Sequence, residues 1–227
     1  MIRLGIVTGL ASEARCLNAF SSAGKTQVIC AGANSERAER AGRSLIALGC
    51  SGLLSFGMAG GLRPDLAPGV LIVPRQVRHL DSDTVSVDAA WRDRLLTILG
   101  SDIALDDGDI AGSERLLATP EDKRQSYQRT QATAVDMESL ALGKVAQQAG
   151  LPFLVLRVIA DPADRAPPLW SLNTVDAAGR IRILAAVRAL LRHPADLPTA
   201  LGLARDSRIA LAVLRRVAMR AGPLFGF

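Results

Sequence analysis

Three segments constrain the fold of this chain, because each runs from an apolar strand pattern into a stretch of small or acidic residues. They are GIVTGLASEARCL at residues 5–17, SFGMAGGLRPDLAPGVLIV at residues 55–73 and AVDMESLALGKVAQQAGLPFLVLRVIADPAD at residues 134–164. In parallel sheets, functional groups collect at the carboxyl ends of strands. We therefore expect Glu13, the glycine-rich loop at residues 57–61 and Asp161 to share one edge of a sheet.

Strand and helix patterns alternate along the whole chain, which predicts a layered α/β fold. The predicted strands are residues 2–7, 27–30, 52–56, 70–73, 109–111, 132–135 and 153–159. The predicted helices are residues 12–23 with Ser12 as N-cap, 34–48, 88–99, 120–128, 136–149, 197–219, and a helix from Asn173 or Thr174 to about residue 191. For 227 residues this indicates one domain with three αβα layers and a central mixed, largely parallel sheet.

Composition excludes several classes of protein. No apolar run reaches 18 residues, so no membrane-spanning helix is expected. Cys16, Cys30 and Cys50 lack metal-ligand spacing and indicate reduced thiols in the cytoplasm. The chain has two histidines, His79 and His193, which disfavours a multi-histidine metal site. We predict neither a metal nor an organic cofactor.

Positive charge is concentrated near the C-terminus. Residues 180–227 hold nine Arg against Asp196 and Asp206, a net charge of +7, whereas the whole chain has +5. A local basic segment of this kind argues against a nucleic-acid-binding surface. The irregular stretches at residues 81–87 and 163–172 are the best candidates to line or cover a site.

Together, the three segments resemble the purine nucleoside phosphorylase and nucleosidase superfamily, most closely its methylthioadenosine/S-adenosylhomocysteine nucleosidases. The resemblance covers about residues 1–195. It implies a nucleoside phosphorylase-like fold, a catalytic domain over those residues and cleavage of a ribose–purine N-glycosidic bond. Because such proteins are commonly dimers or hexamers, we also expect a homo-oligomer.

Asp161 ends the apolar run LVLRVIAD. The residues alone fit an ordinary N-cap or loop Asp equally well. The resemblance implies that Asp161 donates a proton to purine N7, which makes the base a better leaving group. A pKa raised by partial burial would suit that role. Arg157 matches a family Arg near the attacking water and could hold Glu13 ionised, with a structural ion pair as the alternative.

The segment VDMES contains Met137 and Glu138. Taken alone, Glu138 is typical of a solvated Glu in the first turn of a helix that Asp136 could cap. The segment matches the family motif V-[ED]-M-E, and the resemblance implies that Met137 packs against the ribose. It implies that Glu138 binds the ribose 2′ and 3′ hydroxyls and so favours an oxocarbenium-like transition state.

Glu13 is the residue that discriminates between hydrolysis and phosphorolysis. The helix dipole alone would also favour an acidic residue in a first turn. In the resembling nucleosidases, the Glu at this place activates a water that attacks the anomeric carbon. In hexameric phosphorylases the corresponding loop carries an Arg that binds phosphate. Glu13 therefore favours hydrolysis, while nearby Arg15 leaves inorganic phosphate open as a co-substrate.

Two stretches depart from the family pattern. In the predicted glycine loop near the nucleophile, Met58 stands before Ala59 and Gly60, where relatives have a Ser that contacts water or phosphate. In DIAGSERLL at residues 109–117, Leu116 replaces an aromatic that stacks on the base, although the backbone near Leu117 could still read the adenine edge.

The C-terminal segment, residues 196–227, is an Arg-rich and apolar helix and tail. It either packs on the sheet as a family C-terminal helix or lies at an anionic membrane surface on the cytoplasmic side. We expect Leu224, Phe225 and Phe227 at the very end to be exposed, which would be odd for a purely soluble enzyme.

These departures and the tail resemble the hopanoid biosynthesis-associated phosphorylase/nucleosidase group. That resemblance implies release of adenine from adenosylhopane to leave ribosylhopane or its phosphate. The first alternative is a soluble methylthioadenosine/S-adenosylhomocysteine nucleosidase. The second is a non-catalytic nucleoside-binding or membrane-scaffold protein, against which the combination of Glu13, Glu138, Arg157 and Asp161 argues.

Overall fold

The computed structural model describes residues 2–79, 84–176 and 178–227. Within these ranges all strands belong to one sheet. The strands are β1 (Leu4–Thr8), β2 (Thr26–Cys30), β3 (Gly52–Gly61), β4 (Leu71–Ile72), β5 (Gln76–Arg78), β6 (Thr84–Ser86), β7 (Leu105–Asp106), β8 (Ile110–Gly112), β9 (Ala134–Asp136) and β10 (Phe153–Asp161). The α-helices are α1 (Ala11–Ala14), α2 (Ser35–Ala47), α3 (Ala89–Leu99), α4 (Pro120–Thr130), α5 (Ser139–Gln148), α6 (Ile183–Arg192) and α7 (Leu197–Ala221). Short 3-10 helices span Arg15–Ala23, Leu169–Thr174 and Pro194–Asp196.

Strand β3 is the centre of the sheet, since it pairs with three neighbours. It runs parallel to β1 on one edge and parallel to β10 on the other, and its last residues pair antiparallel with β9. Strands β8, β5 and β6 continue beyond β9, while β4 and β7 continue beyond β10. Parallel pairs outnumber antiparallel ones, so the predicted mixed, largely parallel sheet is confirmed.

Helices cover both faces of this sheet. Helices α2 and α5 pack together on one face, and α7 packs with α3 and Arg15–Ala23 on the other. Most apolar side chains of β1, β3 and β10 are buried between these layers, as at Ile6 and Leu156. Burying each such side chain stabilises the fold by about 1.5–3 kcal/mol. The predicted single three-layer domain is confirmed.

A gap along one edge of β3 makes room for polar groups inside this apolar core. Strand β1 pairs with β3 only as far as Val7 opposite Ser55, and β9 begins to pair at Gly60. Among the described strands, none pairs with residues 56–59 on that edge. The backbone N–H groups there need another acceptor, because buried donors are rarely left unpaired.

The prediction of a glycine-rich loop was wrong, because Met58, Ala59 and Gly60 lie in the second half of β3. Strand β10 pairs with β3 residue by residue as far as Ile159 opposite Ala59. This ladder holds the segment extended although glycines disfavour strands.

Strands β5, β6 and β7 were not predicted. Each has two or three residues, too few to show a period. In the stretch at residues 81–87, residues 81–83 lie outside the described residues, and Thr84–Ser86 is β6.

Three predicted helix starts were wrong. Helix α1 begins at Ala11 with Leu10 as N-cap instead of Ser12, and it continues as a 3-10 helix from Arg15. Helix α5 begins at Ser139 instead of Asp136, because Asp136 still belongs to β9. Helix α6 begins at Ile183, since the 3-10 helix Leu169–Thr174 and a bridge between Val175 and Ile181 come first.

The expectation that the last residues are exposed was also wrong. Phe225 is fully buried, and its ring lies edge-on to Phe56 with centroids 5.6 Å apart. Trp91 Nε1 donates a 2.7 Å hydrogen bond to the Phe225 carbonyl, and its ring centroid lies 4.7 Å from that of Phe227. Leu224 is half-buried against the same core.

Helix α7 therefore packs on the body of the protein along one face. Ala210, Leu214 and Val217 are fully buried, and Arg216 and Arg220 both pair with Asp102 beyond the end of α3. No helix in the described ranges is long and apolar enough to cross a membrane. The division of the chain at residues 195 and 196 stays a prediction.

Candidate active site

A cavity of about 610 Å³ opens where β1, β3 and β10 end. The predicted site residues on its wall are Glu13, Met58, Ala59, Gly60, Met137, Glu138, Arg157 and Asp161. A smaller cavity of about 60 Å³ shares Gly60, Met137 and Asp161 with it and is also lined by Leu116 and Leu117. The fold thus gathers every predicted site residue around two adjoining cavities.

Glu13 fills the gap beside β3. Its carboxylate accepts hydrogen bonds from the backbone N–H groups of Gly9 and Leu10, both at 2.8 Å, and of Met58 at 2.9 Å. The side chain is buried. Burial raises the pKa of Glu13, and the charge of Arg157 together with these three hydrogen bonds opposes the rise only in part.

Arg157 holds the other charged groups together from the middle of β10. Its Nε lies 2.7 Å from Asp136 Oδ2, and its Nη2 lies 3.0 Å from Glu138 Oε2. Nη2 also donates to Ser55 Oγ at 2.7 Å, and Nη1 donates to the Met58 carbonyl at 3.2 Å. The predicted structural ion pair of Arg157 therefore exists, with Asp136 and Glu138 as partners. The positive charge of Arg157 also acts on Glu13, whose pKa it lowers.

Glu138 is the N-cap residue of α5, so the end of β9 and the start of the helix position it jointly. Burial raises its pKa to about 7, and the charge of Arg157 opposes that rise. The carboxylates of Asp136 and Glu13 raise it further. With three carboxyl groups around one guanidinium, Glu138 binds a proton more readily than a solvated Glu does.

Two glycines permit this density of charge. A Cβ at Gly57 would lie 2.6 Å from Glu13 Oε2 and 2.7 Å from Arg157 Nη1. A Cβ at Gly9 would lie 2.8 Å from Glu138 Oε1. These distances are shorter than non-bonded contacts allow, so any side chain here would displace the charged groups.

Asp161 lies at the end of β10, where the two cavities meet. Burial raises the pKa of its carboxyl group, and the neighbouring ammonium of Lys123 opposes that rise. An acid of this kind keeps its proton at a higher pH than a solvated Asp does. The smaller cavity beside it has an apolar wall formed by Leu116 and Leu117.

The sequence did not reveal several residues that complete the site. Asp136 binds Arg157 and also accepts a hydrogen bond from the Ser139 backbone N–H at 3.2 Å. Ser139 Oγ lies 2.9 Å from Ser55 Oγ, which locks β3 to the start of α5. The acidic residue before Met137 was a possible signal for this network, whereas nothing local marks the two serines.

The outer wall of the larger cavity is mostly apolar. The predicted stretch at residues 163–172 contributes Pro167, Pro168, Trp170 and Ser171. Helix α7 contributes Ala200, Leu203, Ala204 and Leu211, and Ile181 stands at the rim. Among the described residues, no group of three His, Cys, Asp or Glu side chains is arranged to hold a metal ion.

Two nucleosidases are similar to this chain in sequence. The 5′-methylthioadenosine/S-adenosylhomocysteine nucleosidase of Shewanella loihica is 26% identical over an alignment of 160 residues, which covers 62% of this chain and 69% of that protein. The aminodeoxyfutalosine nucleosidase of Helicobacter pylori is 29% identical over an alignment of 137 residues, which covers 53% of this chain and 60% of that protein.

Solved structures show the same fold. The 5′-methylthioadenosine/S-adenosylhomocysteine nucleosidase of Neisseria meningitidis, in complex with methylthio-immucillin-A, superposes with a TM-score of 0.75 at 15% identity, covering 97% of this chain and 98% of that one. The futalosine hydrolase of Helicobacter pylori gives a TM-score of 0.70 at 19% identity, covering 95% and 97%. A sequence profile of the phosphorylase superfamily matches residues 21–192. The chain belongs to the phosphorylase superfamily.

Proposed function

We propose that this protein cleaves the N-glycosidic bond of an adenine nucleoside and releases adenine. The observation that carries the proposal is the convergence of Glu13, Glu138, Arg157 and Asp161 on one cavity. The similar proteins of Shewanella and Helicobacter are nucleosidases, which supports the same class of reaction. A protein that only binds nucleosides would need neither the buried acid nor the buried base.

Asp161 protonates purine N7, since its raised pKa keeps a proton available beside the small cavity. Glu138 binds the ribose hydroxyls, with Met137 against the sugar. Leu116 and Leu117 enclose the base. Arg157 keeps the carboxylates in place and balances their charge.

The nucleophile is a water molecule activated by Glu13. The Glu13 carboxylate occupies the N–H groups of Gly9, Leu10 and Met58, which are donors that a phosphate would otherwise use. Its charge also repels phosphate. Inorganic phosphate as a co-substrate remains the alternative because Arg15 lines the same cavity.

The substrate is adenosylhopane, and the product is ribosylhopane. A triterpenoid 5′ substituent needs a wide apolar channel, and the outer wall formed by Trp170, Leu203 and Leu211 is suited to one. The second candidate is a soluble methylthioadenosine/S-adenosylhomocysteine nucleosidase, which the name of the Shewanella relative favours.

The test is adenine release from adenosylhopane and from methylthioadenosine, each with and without phosphate. Release from the hopanoid without phosphate would support the proposal in full. Release that requires phosphate would show that phosphate, and not water, is the nucleophile. Release from methylthioadenosine alone would favour the second candidate. No release from either would overturn the proposed function.

We also propose that the protein docks peripherally on the cytoplasmic face of an anionic membrane. The support comes from the α6 face, by which we mean Ile183, Leu184, Val187 and Leu191. Leu184 is 80% exposed and Leu191 is 77% exposed, and no residue of α6 is buried. These four side chains fall within about 100° of the helix circumference.

The surroundings of the α6 face suit anionic lipid. Arg188 and Arg192 are exposed beside the apolar stripe, as in helices that lie in a membrane interface. Ile181, just before α6, is exposed and lines the cavity rim. Docking here would turn the cavity toward the bilayer. This contact surface precedes residues 196–227, the segment predicted to touch the membrane, which instead buries Leu214, Val217 and Phe225 in the body of the protein.

Vesicle co-sedimentation tests this docking. Wild type should bind vesicles containing phosphatidylglycerol more tightly than pure phosphatidylcholine vesicles, and high salt should weaken binding. Leu184→Glu with Leu191→Glu should abolish it, while Leu48→Glu, at an exposed position beyond α2, should not. If wild type binds neither kind of vesicle but forms a dimer that is absent in the double variant, the α6 face is instead the interface of the expected homo-oligomer.

A further inference from the structure

Lys123 is a buried cation on α4, a helix made mostly of polar residues. Its side chain is 1% exposed on α4, and it lines the small cavity together with Asp161. An ammonium group is costly to bury unless it is paired and hydrogen-bonded. Its place beside the proposed proton donor therefore points to a role beyond the packing of α4.

Four oxygens surround the Lys123 ammonium group. Nζ forms a short ion pair with Asp161 Oδ2 and lies 3.3 Å from the Asp161 carbonyl oxygen. It donates to the carbonyls of Pro162 at 2.8 Å and of Arg165 at 2.6 Å. Lys123 thus holds both the carboxyl group and the turn of backbone that follows it.

We propose that Lys123 is a positioning residue for Asp161, an inference that rests on the proposed cleavage of an adenine nucleoside. Because the ammonium occupies Oδ2, Oδ1 is the oxygen that faces the base and gives up its proton. The Oδ1–H bond breaks, an N7–H bond forms, and the electron pair stays on the carboxylate. Lys123 keeps its own protons and stabilises that carboxylate.

The environment supports this division of roles. Burial raises the pKa of Asp161 and lowers that of Lys123, and each group opposes the shift of the other. Both burial effects favour a proton on the carboxyl group compared with the same pair in water. The cation limits this effect, so that Asp161 can still release its proton to N7.

The same contacts give Lys123 an influence on the cavity wall. The carbonyl of Arg165 is held by Lys123, while the Arg165 guanidinium pairs with Asp206 on α7. Loss of Lys123 would therefore loosen the turn that leads to the outer wall. A role in substrate binding alone would raise KM, whereas the proposed role lowers kcat.

The first experiment compares Lys123→Met and Lys123→Arg with wild type, with Thr130→Val as a control for a buried polar residue on the same helix. On the nucleoside that wild type cleaves, Lys123→Met should lower kcat by about tenfold to a hundredfold, less than a complete general acid contributes. Its alkaline limb of kcat/KM should move to higher pH, because the Asp161 pKa rises without the cation. Lys123→Arg should recover part of the rate, and Thr130→Val should match wild type.

A second substrate separates chemistry from damage to the fold. The leaving group of p-nitrophenyl β-D-ribofuranoside departs without protonation, so Lys123→Met should cleave it at nearly the wild-type rate. Equal losses on both substrates, or an unshifted pH profile, would overturn the proposal.

Carbon-13 NMR of the Asp161 carboxyl group, assigned with Asp161→Asn, gives a test without turnover. Its titration midpoint should rise in Lys123→Met, and an unchanged midpoint would contradict the proposal. If wild type releases no adenine, the proposed function fails, whereas this titration still decides whether Lys123 controls Asp161.

Discussion

Charged side chains are usually exposed and apolar ones buried, but the charge cluster and the α6 face are each an exception. The charge cluster, by which we mean Glu13, Asp136, Glu138 and Arg157, is buried between strands. The α6 face instead leaves apolar side chains in water. Buried charges are retained where chemistry needs them, and exposed apolar patches persist where something else covers them. The charge cluster lines the cavity, and Ile181, just before the α6 face, lines it too. We infer that the charge cluster reacts with the nucleoside, while the α6 face holds the cavity against the membrane.

The largest expected effect is on the rate, and it comes from the cluster. Glu13→Gln removes the proposed base but keeps its size, so adenine release should fall by about 10²–10⁴-fold. An amide can satisfy fewer of the three backbone N–H groups that Glu13 binds, and a modest loss of stability should follow. Steady-state kinetics with thermal unfolding as a control separates the two effects. Wild-type kcat in this variant would rule out Glu13 as the base.

The next effect is on stability. Arg157→Met leaves Asp136 and Glu138 buried without their cation. Breaking a buried pair from one side costs about 3–5 kcal/mol in the free energy of unfolding. Arg124→Met is the matched control, since Arg124 pairs with Glu121 at the surface of α4 and should change stability by less than about 1 kcal/mol. Similar urea midpoints for both variants would show that the cluster contributes no more than a surface pair.

A pH dependence should follow from Glu138, whose pKa rises from 4.5 to about 7. The folded state binds the extra proton between these values, so the stability from this group falls as pH rises through that window. The ionised Glu138 carboxylate is the better hydrogen-bond acceptor for the ribose hydroxyls. KM should therefore increase as the pH falls below about 7. Glu138→Gln should abolish this KM profile, and a pH-independent KM in wild type would contradict the role in ribose binding.

The smallest effect concerns the anchoring of α7. The Arg220 and Arg216 guanidinium groups lower the pKa of Asp102 from 3.8 to about 2. The stabilisation of the fold by these ion pairs is therefore present above pH 3.8 and is lost as the pH falls toward 2. Because the group is exposed, Asp102→Asn should lower the Tm only slightly at neutral pH. The difference from wild type should shrink in acid. A large drop in Tm would mean that α7 depends on this pair more than on Phe225 and its apolar face.

Local patterns were sufficient to predict the frame of the site. The run LVLRVIAD is long, apolar and bounded by Pro152 and Pro162, so β10 and the position of Asp161 at its end follow from sequence. Glu13 and Glu138 were found because each follows a strand near a recognisable segment. Their distances from Arg157 were not predictable. They depend on the unpaired edge of β3 between the residues that pair with β1 and those that pair with β9.

Other features depend on tertiary structure alone. Lys123 lies in PEDKRQSYQRT, a composition typical of a solvated helix, and its burial arises only because β10 ends beside α4. The sequence of α6 predicts a helix with an apolar side, but periodicity cannot say whether that side is covered. Phe225 was expected to be exposed because its partners Phe56 and Trp91 are distant in sequence.

The most direct test of the central claim is single-turnover adenine release by wild type and by Asp161→Asn, from adenosylhopane and from methylthioadenosine. We predict that wild type releases adenine from at least one of them. Asp161→Asn, with an unchanged circular dichroism spectrum, should be slower by about 10²–10⁴-fold. Adenine release at the wild-type rate by Asp161→Asn, or no release by wild type from either nucleoside, would contradict that claim.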